Sequence, residues 1–141
     1  MKKHYKYCFL VLMITVAATS LSWGQFTYQE LLPPGWTLSM AWDINENGIV
    51  VGEGTDSTGT HKGFIYSGGT YTEILPPGWG GVHYVYSINN NGDVIGQAWN
   101  SSNSLSSGYL YMGGNYIEII PPGWSSPDAS ANSINLDFAS R

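Results

Sequence analysis

The stretch AWDINENGIVVGEG at 41–54 is repeated as VYSINNNGDVIGQA at 85–98, with the Ile-Asn, Asn-Gly and Val/Ile-Gly pairs in the same order. KGFIYSGGTYTEILPPGW at 62–79 likewise matches SGYLYMGGNYIEIIPPGW at 107–124. Equivalent residues are therefore about 44 positions apart along the chain. A period of this length is typical of folds in which each repeat is one supersecondary unit that stacks on its neighbours.

Each repeat contains four strand-like runs separated by turn signals. In the first copy, the first run ends at Ile44, and Asn47-Gly48 then supplies a dipeptide suited to a tight hairpin because both residues accept positive φ. The second run is followed by a polar loop, at 53–61 in one copy and 97–107 in the other. Loops of uneven length between matching runs mark the positions where repeats tolerate insertion. A Gly-Gly pair then connects the third run to the fourth.

The strand-like runs are apolar at adjacent positions, as in Val50-Val51 and Ile74-Leu75, rather than at alternate ones. A sheet with one solvated face would alternate, so we expect sheets that are covered on both faces. Four antiparallel strands per unit, stacked unit on unit, indicate an all-β fold of β-propeller type. A β-solenoid and a β-sandwich are the alternatives.

The repeats divide the chain into a partial unit at 25–36, full repeats at 37–79 and 80–124, and a truncated repeat at 125–141. Propellers usually close with four to eight blades, so two full and two partial units form an incomplete array. We therefore expect either a fragment of a longer propeller or a short chain that self-associates through open blade edges.

The PPGW turns explain how one unit connects to the next. In Pro-Gly, proline fixes φ at the second turn position and glycine accepts positive φ at the third, which predicts a type II turn. The tryptophans that follow, Trp36, Trp79 and Trp124, therefore recur at one structural level. They are interpreted either as plugs packed between adjacent units or as exposed rings that stack on sugars.

The first residues have the composition of an export signal. Lys2, Lys3 and Lys6 precede the apolar run YCFLVLMITVAATSL, and small residues follow before Gln25. This order predicts a secretory signal peptide at 1–24. The apolar run is about 15 residues long, which is shorter than the roughly 20 residues that a membrane-spanning helix requires. The predicted β-repeat domain therefore occupies 25–141, and the predicted location is extracellular or on the cell surface.

Removal of this signal peptide changes the charge and the chemistry of the chain. Lys62 and Arg141 remain against ten carboxylates, which gives a net charge of −8. A nucleic-acid ligand and an anionic membrane surface are disfavoured because both need basic protein surfaces. Cys8, the only cysteine, is removed as well, so neither a disulfide nor thiol chemistry is expected. No cofactor is predicted.

Catalytic patterns are weak. His61 and His83 lie at non-equivalent positions of the repeat and are interpreted as surface or edge residues. Glu30, Glu73 and Glu118 are equivalent in the three copies, which indicates a structural or solvated position rather than a paired-carboxylate site. No catalytic residue is predicted, and the expected protein is not an enzyme.

DINENG at 43–48 fits the first half of a calcium-binding loop, with Asp43, Asn45 and Asn47 as oxygen ligands. The position of the bidentate glutamate holds Gly54, and the second repeat has Ser87 in place of the aspartate. These residues form a weak calcium candidate, and a metal site is not the favoured interpretation.

AWDINENGIVVG and YSINNNGDVIG, followed by GFIYSGGTYTEI, resemble the repeats of the bacterial extracellular HAF family, and the resemblance covers 26–135. The chain departs from the family where Lys-Gly-Phe at 62–64 and Ser-Gly-Tyr at 107–109 replace His-Ala-Phe, and where PPGW replaces a Gly-rich turn. The resemblance implies a secreted or surface location and propeller-like folding. It implies no reaction and assigns no functional residue.

The predicted function is that of a secreted or cell-surface, non-catalytic repeat protein that acts as a binding or interaction module. Its expected partner is a glycan or another surface protein. The predicted binding surface consists of loop tips at 53–61 and 97–107 together with the PPGW tryptophans. The alternatives are a fragment of an extracellular carbohydrate-active enzyme and a purely structural surface protein.

Overall fold

The computed structural model describes residues 27–101, 105–120 and 134. These residues form eight β-strands: β1 (Trp36–Ile44), β2 (Val50–Asp56), β3 (His61–Ser67), β4 (Thr70–Ile74), β5 (Gly81–Ile88), β6 (Val94–Asn100), β7 (Leu105–Met112) and β8 (Asn115–Ile119). Strands β1–β4 form one antiparallel sheet in chain order, and β5–β8 form a second sheet of the same order. We call them the first and second sheets. The all-β prediction, with one four-stranded sheet per repeat, is confirmed.

The predicted signal peptide at 1–24 lies outside the described residues, as does most of the truncated repeat at 125–141. None of the described segments forms an apolar helix of membrane-spanning length.

Two of the predicted turns are confirmed, the Gly-Gly connection and the type II PPGW turn. Gly68 and Gly69 have φ values of 55° and 91° between the paired residues Ser67 and Thr70, as a two-residue hairpin with right-handed strand twist requires. In the PPGW turn, the Trp79 N–H donates to the Pro76 carbonyl at 3.1 Å. The glycine of that turn, at position 78, has a φ of 79°, which places it at the third position of a type II turn.

The Asn-Gly turn differs from the prediction by one residue. The Gly48 N–H donates to the Asn45 carbonyl, so Glu46 and Asn47 are the central residues and Gly48 follows them with a φ of 73°. The Asn45 side chain stabilises this arrangement by accepting hydrogen bonds from the backbone of Asn47 and Ile49. A three-residue loop with glycine at the left-handed position is the result.

The polar loops are shorter in the structure than the sequence predicts. Strand β2 continues to Asp56 and β3 begins at His61, so most of 53–61 belongs to the first sheet. Strand β6 likewise continues to Asn100, well into 97–107. These segments have few β-formers, but residues 53–55 pair with β3, and residues 97–100 pair with β7. The prediction of loop tips over the whole of both ranges was therefore wrong.

The two sheets stack face to face. Residues paired across adjacent strands share a face, and Glu53 and Gly63 both contact Val85 of β5, so this face of the first sheet, its back face, lies on the second sheet. The front face of the second sheet meets it. The joint core comprises Val51, Ile74, Val82, Val85, Ile88, Val94, Ala98 and Tyr109. Removal of these side chains from water is the main force that holds the sheets together.

The front faces of the two sheets carry equivalent ring packing. Phe64 and Tyr71 lie edge to face with centroids 5.8 Å apart, and Tyr109 and Tyr116 repeat the pair at 6.3 Å. The Tyr116 hydroxyl also accepts a hydrogen bond from the backbone of Leu75, which ties the PPGW connection to the second sheet.

Burial of the inner front positions differs between the sheets. Ile88 is 5% exposed because the first sheet covers it, whereas its equivalent, Ile44, is 61% exposed. Val85 is buried and its equivalent, Ala41, is exposed. The first sheet therefore presents the same kind of apolar front face, but this face is open at its inner strand.

Candidate ligand-binding surface

The PPGW tryptophans pack against their own surroundings. Trp79 is half-buried against the core between the sheets. Trp36 lies edge to face on Phe64, with ring centroids 6.1 Å apart. Trp124 lies outside the described residues. Trp79 therefore contacts the core shared by the two sheets, whereas Trp36 packs within the first sheet. The plug and the sugar-stacking interpretations of these three rings both stay predictions.

The side chains of the weak calcium candidate contribute to the junction between the sheets. One Asp43 carboxylate oxygen, Oδ2, accepts hydrogen bonds from the Ser87 hydroxyl and from the Ile88 N–H, both at 2.9 Å. The other oxygen, Oδ1, accepts from the backbone of Ile44. Among the described residues, no three His, Cys, Asp or Glu side chains are grouped as metal ligands would be. Asp43 therefore has a structural role in this arrangement, and calcium binding stays a prediction.

The asparagines of the same turn bind the equivalent turn of the next repeat. Asn45 donates from Nδ2 to the Asn89 carbonyl at 2.9 Å, and Asn47 donates to the Asn90 carbonyl at 2.9 Å. The Asn90 side chain in return accepts from the backbone of Glu46. These bonds join residues 43 or 44 positions apart, so the Ile-Asn…Asn-Gly motif sets the relative position of the two sheets.

The histidine and glutamates considered as catalytic residues, apart from His83, lie at separate places in the structure. His61 lies at the junction, where its Nδ1 contacts the Val82 carbonyl at 2.9 Å. Glu73 is exposed and binds Lys62, while Glu30 and Glu118 are also exposed. The repeat-equivalent glutamates are thus at the surface, and one of them forms an ion pair.

His83 belongs to a cluster of rings that the sequence analysis did not identify. We define the ring cluster as His83, Tyr84, Tyr86 and Trp99 on strands β5 and β6. The centroids of His83 and Tyr84 are 6.4 Å apart, those of His83 and Trp99 are 6.4 Å apart, and those of Tyr84 and Tyr86 are 5.5 Å apart. Tyr84 is 46% exposed and Trp99 is 44% exposed. The four rings therefore form one cluster in which His83, Tyr84 and Trp99 are exposed and Tyr86 is half-buried.

Strand geometry explains why these rings are together. Tyr84 pairs with Gln97 on the back face of the second sheet, and Trp99 is two residues further along β6 on that face. A β-bulge between Val82 and Tyr84 turns His83 out of the regular alternation, and its ring then lies between Tyr84 and Trp99.

The surroundings of the ring cluster contain buried and acidic groups but no lysine or arginine of the described residues. Burial raises the pKa of the half-buried Tyr86 hydroxyl, and the nearby Tyr84 and Glu53 add to the effect. Lys62, the only Lys or Arg among the described residues, lies on the front face of the first sheet and is bound to Asp56 and Glu73. The ring cluster therefore has no cationic side chain of the described chain beside it.

The ring cluster is specific to the second repeat. The residues equivalent to His83 and Trp99 are Ser39 and Thr55, which carry no ring. The sequence contains one signal for it: Tyr84 and Tyr86 alternate with the buried Val85, so aromatic side chains occupy the face opposite the core. The assignment of Trp99 to a polar loop concealed its place on the same face.

Comparison of the chain with protein-family models, with curated proteins and with solved structures finds no match.

Proposed function

We propose that the protein is a non-catalytic repeat protein of β-propeller type that acts as an exported binding or interaction module. The propeller arrangement is supported by two four-stranded meander sheets that stack through equivalent residues of the repeat. The resemblance of the Ile-Asn…Gly…Val-Gly stretches to HAF repeats agrees with this arrangement and with an extracellular location.

The observation that carries the binding function is the ring cluster. A large aromatic residue at a protein surface has an unfavourable contact with water, so exposed rings in contact with one another are typical of interaction sites. Symmetric positions of a repeat serve the fold in every unit, whereas His83 and Trp99 occur in one unit only. Since the first repeat folds with other residues at the equivalent positions, His83 and Trp99 are not required by the repeat fold and are available for recognition.

The test is a binding screen of the full chain. The immobilised protein is exposed to arrays of glycans and of peptides, in parallel with the double variant Tyr84→Ala/Trp99→Ala. We expect binding to at least one class and its loss in the variant. Equal behaviour of the two proteins overturns the proposal and favours a purely structural surface protein. Release of reducing ends from a bound glycan favours the alternative of a carbohydrate-active enzyme.

A further inference from the structure

We infer that the ring cluster is a binding site for neutral sugar residues of a glycan, an inference that rests on the proposed binding function. The C–H groups on one face of a pyranose ring form a flat apolar surface, and the hydroxyl groups at its edge need hydrogen-bond partners. A suitable protein site therefore combines exposed aromatic faces with polar atoms at their margin. The ring cluster has both features.

The apolar half of the site is the stacked pair. The Tyr84 and Tyr86 rings are inclined by 21° with their centroids 5.5 Å apart, so they are stacked on one another. Tyr84, which is 46% exposed, supplies the solvent-facing aromatic surface of this pair. Trp99 extends this surface on the other side of His83, to which it is inclined by 46°. A tyrosine or tryptophan supplies much contact area with few rotatable bonds, so a ligand that stacks on it loses little side-chain entropy.

The polar half of the site is at the margin of the same rings. His83 Nδ1 contacts the Ser106 hydroxyl at 3.2 Å, which holds the imidazole in place and leaves Nε2 on the opposite side of the ring. The tyrosine hydroxyls and the Trp99 indole N–H add donors and acceptors. Gln97, half-buried on the same face of β6, contributes an amide. These groups are the kinds of hydrogen-bond donor and acceptor that sugar hydroxyls require.

Charge and space favour a neutral sugar over two other ligands that bind aromatic surfaces. An anionic glycan needs a cation, and Lys62 is held in ion pairs on the first sheet. A quaternary ammonium group binds between rings that enclose it. Here His83 contacts Tyr84 and Trp99 directly, so the rings leave no cage between them.

Stacking of the sheets is compatible with an open site. Met40 and Trp42 occupy the positions equivalent to Tyr84 and Tyr86, beside the junction with the second sheet. They remain 43% and 53% exposed even though the back face of their sheet is covered. A sheet packed on the back face of the second one would therefore leave the tyrosines accessible.

The test is calorimetric titration of the full chain with the neutral hexasaccharides of glucose, N-acetylglucosamine, xylose and mannose. A polygalacturonate hexamer and a proline-rich decapeptide are the comparison probes. We expect at least one neutral hexasaccharide to bind, and Tyr84→Ala and Trp99→Ala each to weaken it at least tenfold. Tyr28→Ala removes an isolated ring that is 97% exposed and is expected to leave the affinity unchanged. Circular dichroism checks that each variant is folded.

The outcomes separate the inference from the proposed function. Binding of the decapeptide or the anionic hexamer alone, with loss in the ring variants, overturns the sugar inference and leaves a binding module. Sugar binding that survives both ring substitutions places the site elsewhere and overturns the inference as well. Absence of binding by every probe and in the array screen overturns both.

Discussion

Glu53 joins the two sheets through a single buried carboxylate. It is 2% exposed, and its Oε2 accepts a hydrogen bond from the Val85 N–H at 2.8 Å. Burial raises the pKa of Glu53 above its ordinary value of 4.5, while the bonds from Val85 and from the Trp42 indole act in the opposite direction without cancelling it. The folded chain therefore holds this proton more tightly than the unfolded chain does.

A raised pKa makes the contribution of Glu53 to stability depend on pH. This contribution is complete below the unfolded value of 4.5 and is lost as the pH rises through the raised folded value. In Glu53→Gln the side-chain carbonyl still accepts from Val85, but no charge is buried. We expect the free energy of unfolding of the variant, relative to the wild type, to increase from pH 4 to pH 8. Urea unfolding at each pH measures it, and a difference that is constant over this range contradicts the assignment.

Removal of the acceptor itself gives the matched control. In Glu53→Ala the buried Val85 N–H has no partner from this side chain, which costs roughly 1–3 kcal/mol. We expect this loss, measured relative to Glu53→Gln, to be the same at every pH between 4 and 8, because neither variant has a group to ionise at position 53.

Gly63 sets how closely the sheets approach. A Cβ at this position would lie 2.7 Å from Val85 Cγ2 and 3.1 Å from Ile74 Cβ. Gly63→Ala is therefore expected to destabilise the fold by roughly 1–3 kcal/mol through overpacking. Gly80→Ala is the control, since the nearest atom to its Cβ would be Ser101 Cβ at 3.5 Å. Val85→Ala should cost less stability in the Gly63→Ala background than in the wild type, because it makes room for the added methyl group. Equal melting temperatures for the two glycine variants would show that the sheets are further apart in solution.

At the scale of the element, the PPGW connection works as a turn and an anchor. The turn reverses the chain between β4 and β5, and Trp79 then packs on the core. Trp79→Ala is expected to cost about 3 kcal/mol, at the low end for a tryptophan truncation because the ring is half-buried. Trp99→Ala should cost less than about 1 kcal/mol, since that ring is exposed. Chemical denaturation compares them. A small loss for Trp79→Ala together with abolished glycan binding would support the sugar-stacking interpretation of the PPGW tryptophans.

Strand number, strand order and the glycine turns were predictable because each rests on local chemistry. The Gly68-Gly69 and Pro-Gly turns need positive φ, and glycine supplies it without a steric penalty. The ends of β2 and β6 were not predictable. Glu53 and Trp99 lie within the glycine- and polar-rich runs at 53–61 and 97–107, which resemble loops. Only pairing with a neighbouring strand makes these residues part of a sheet.

At the scale of the molecule, the sequence repeat predicted stacked units but not the site. The replacement of Asp43 by Ser87 in the second repeat counted against a calcium loop. In the structure, the Ser87 hydroxyl donates a hydrogen bond to the Asp43 carboxylate across the junction between the sheets. The ring cluster requires the β-bulge at His83 and the extension of β6 to Trp99. Neither feature has a local sequence signature, because both depend on how two strands pair. A periodic sequence thus predicts the repeated strands and turns. The positions of residues that differ between the copies can be determined only from the folded structure.

The exposed front face of the first sheet determines whether the whole molecule can associate with a second copy. Ile88 and Ile44 are equivalent, but Ile88 is covered by the first sheet and Ile44 is 61% exposed. Ile88→Glu places an unpaired carboxylate in the core and is expected to cost at least about 3 kcal/mol or to prevent folding. Ile44→Glu should change the free energy of unfolding by less than about 0.5 kcal/mol.

Thermal unfolding and light scattering over a range of protein concentrations compare the pair. A large loss of stability in Ile44→Glu, together with a lower molar mass than the wild type, would show that a second copy covers this face in solution. The front face of the first sheet would then be the interface of a self-associated array. Equal mass and stability of Ile44→Glu and the wild type would show that the inner strand of the first sheet is accessible to solvent, as the 61% exposure of Ile44 indicates.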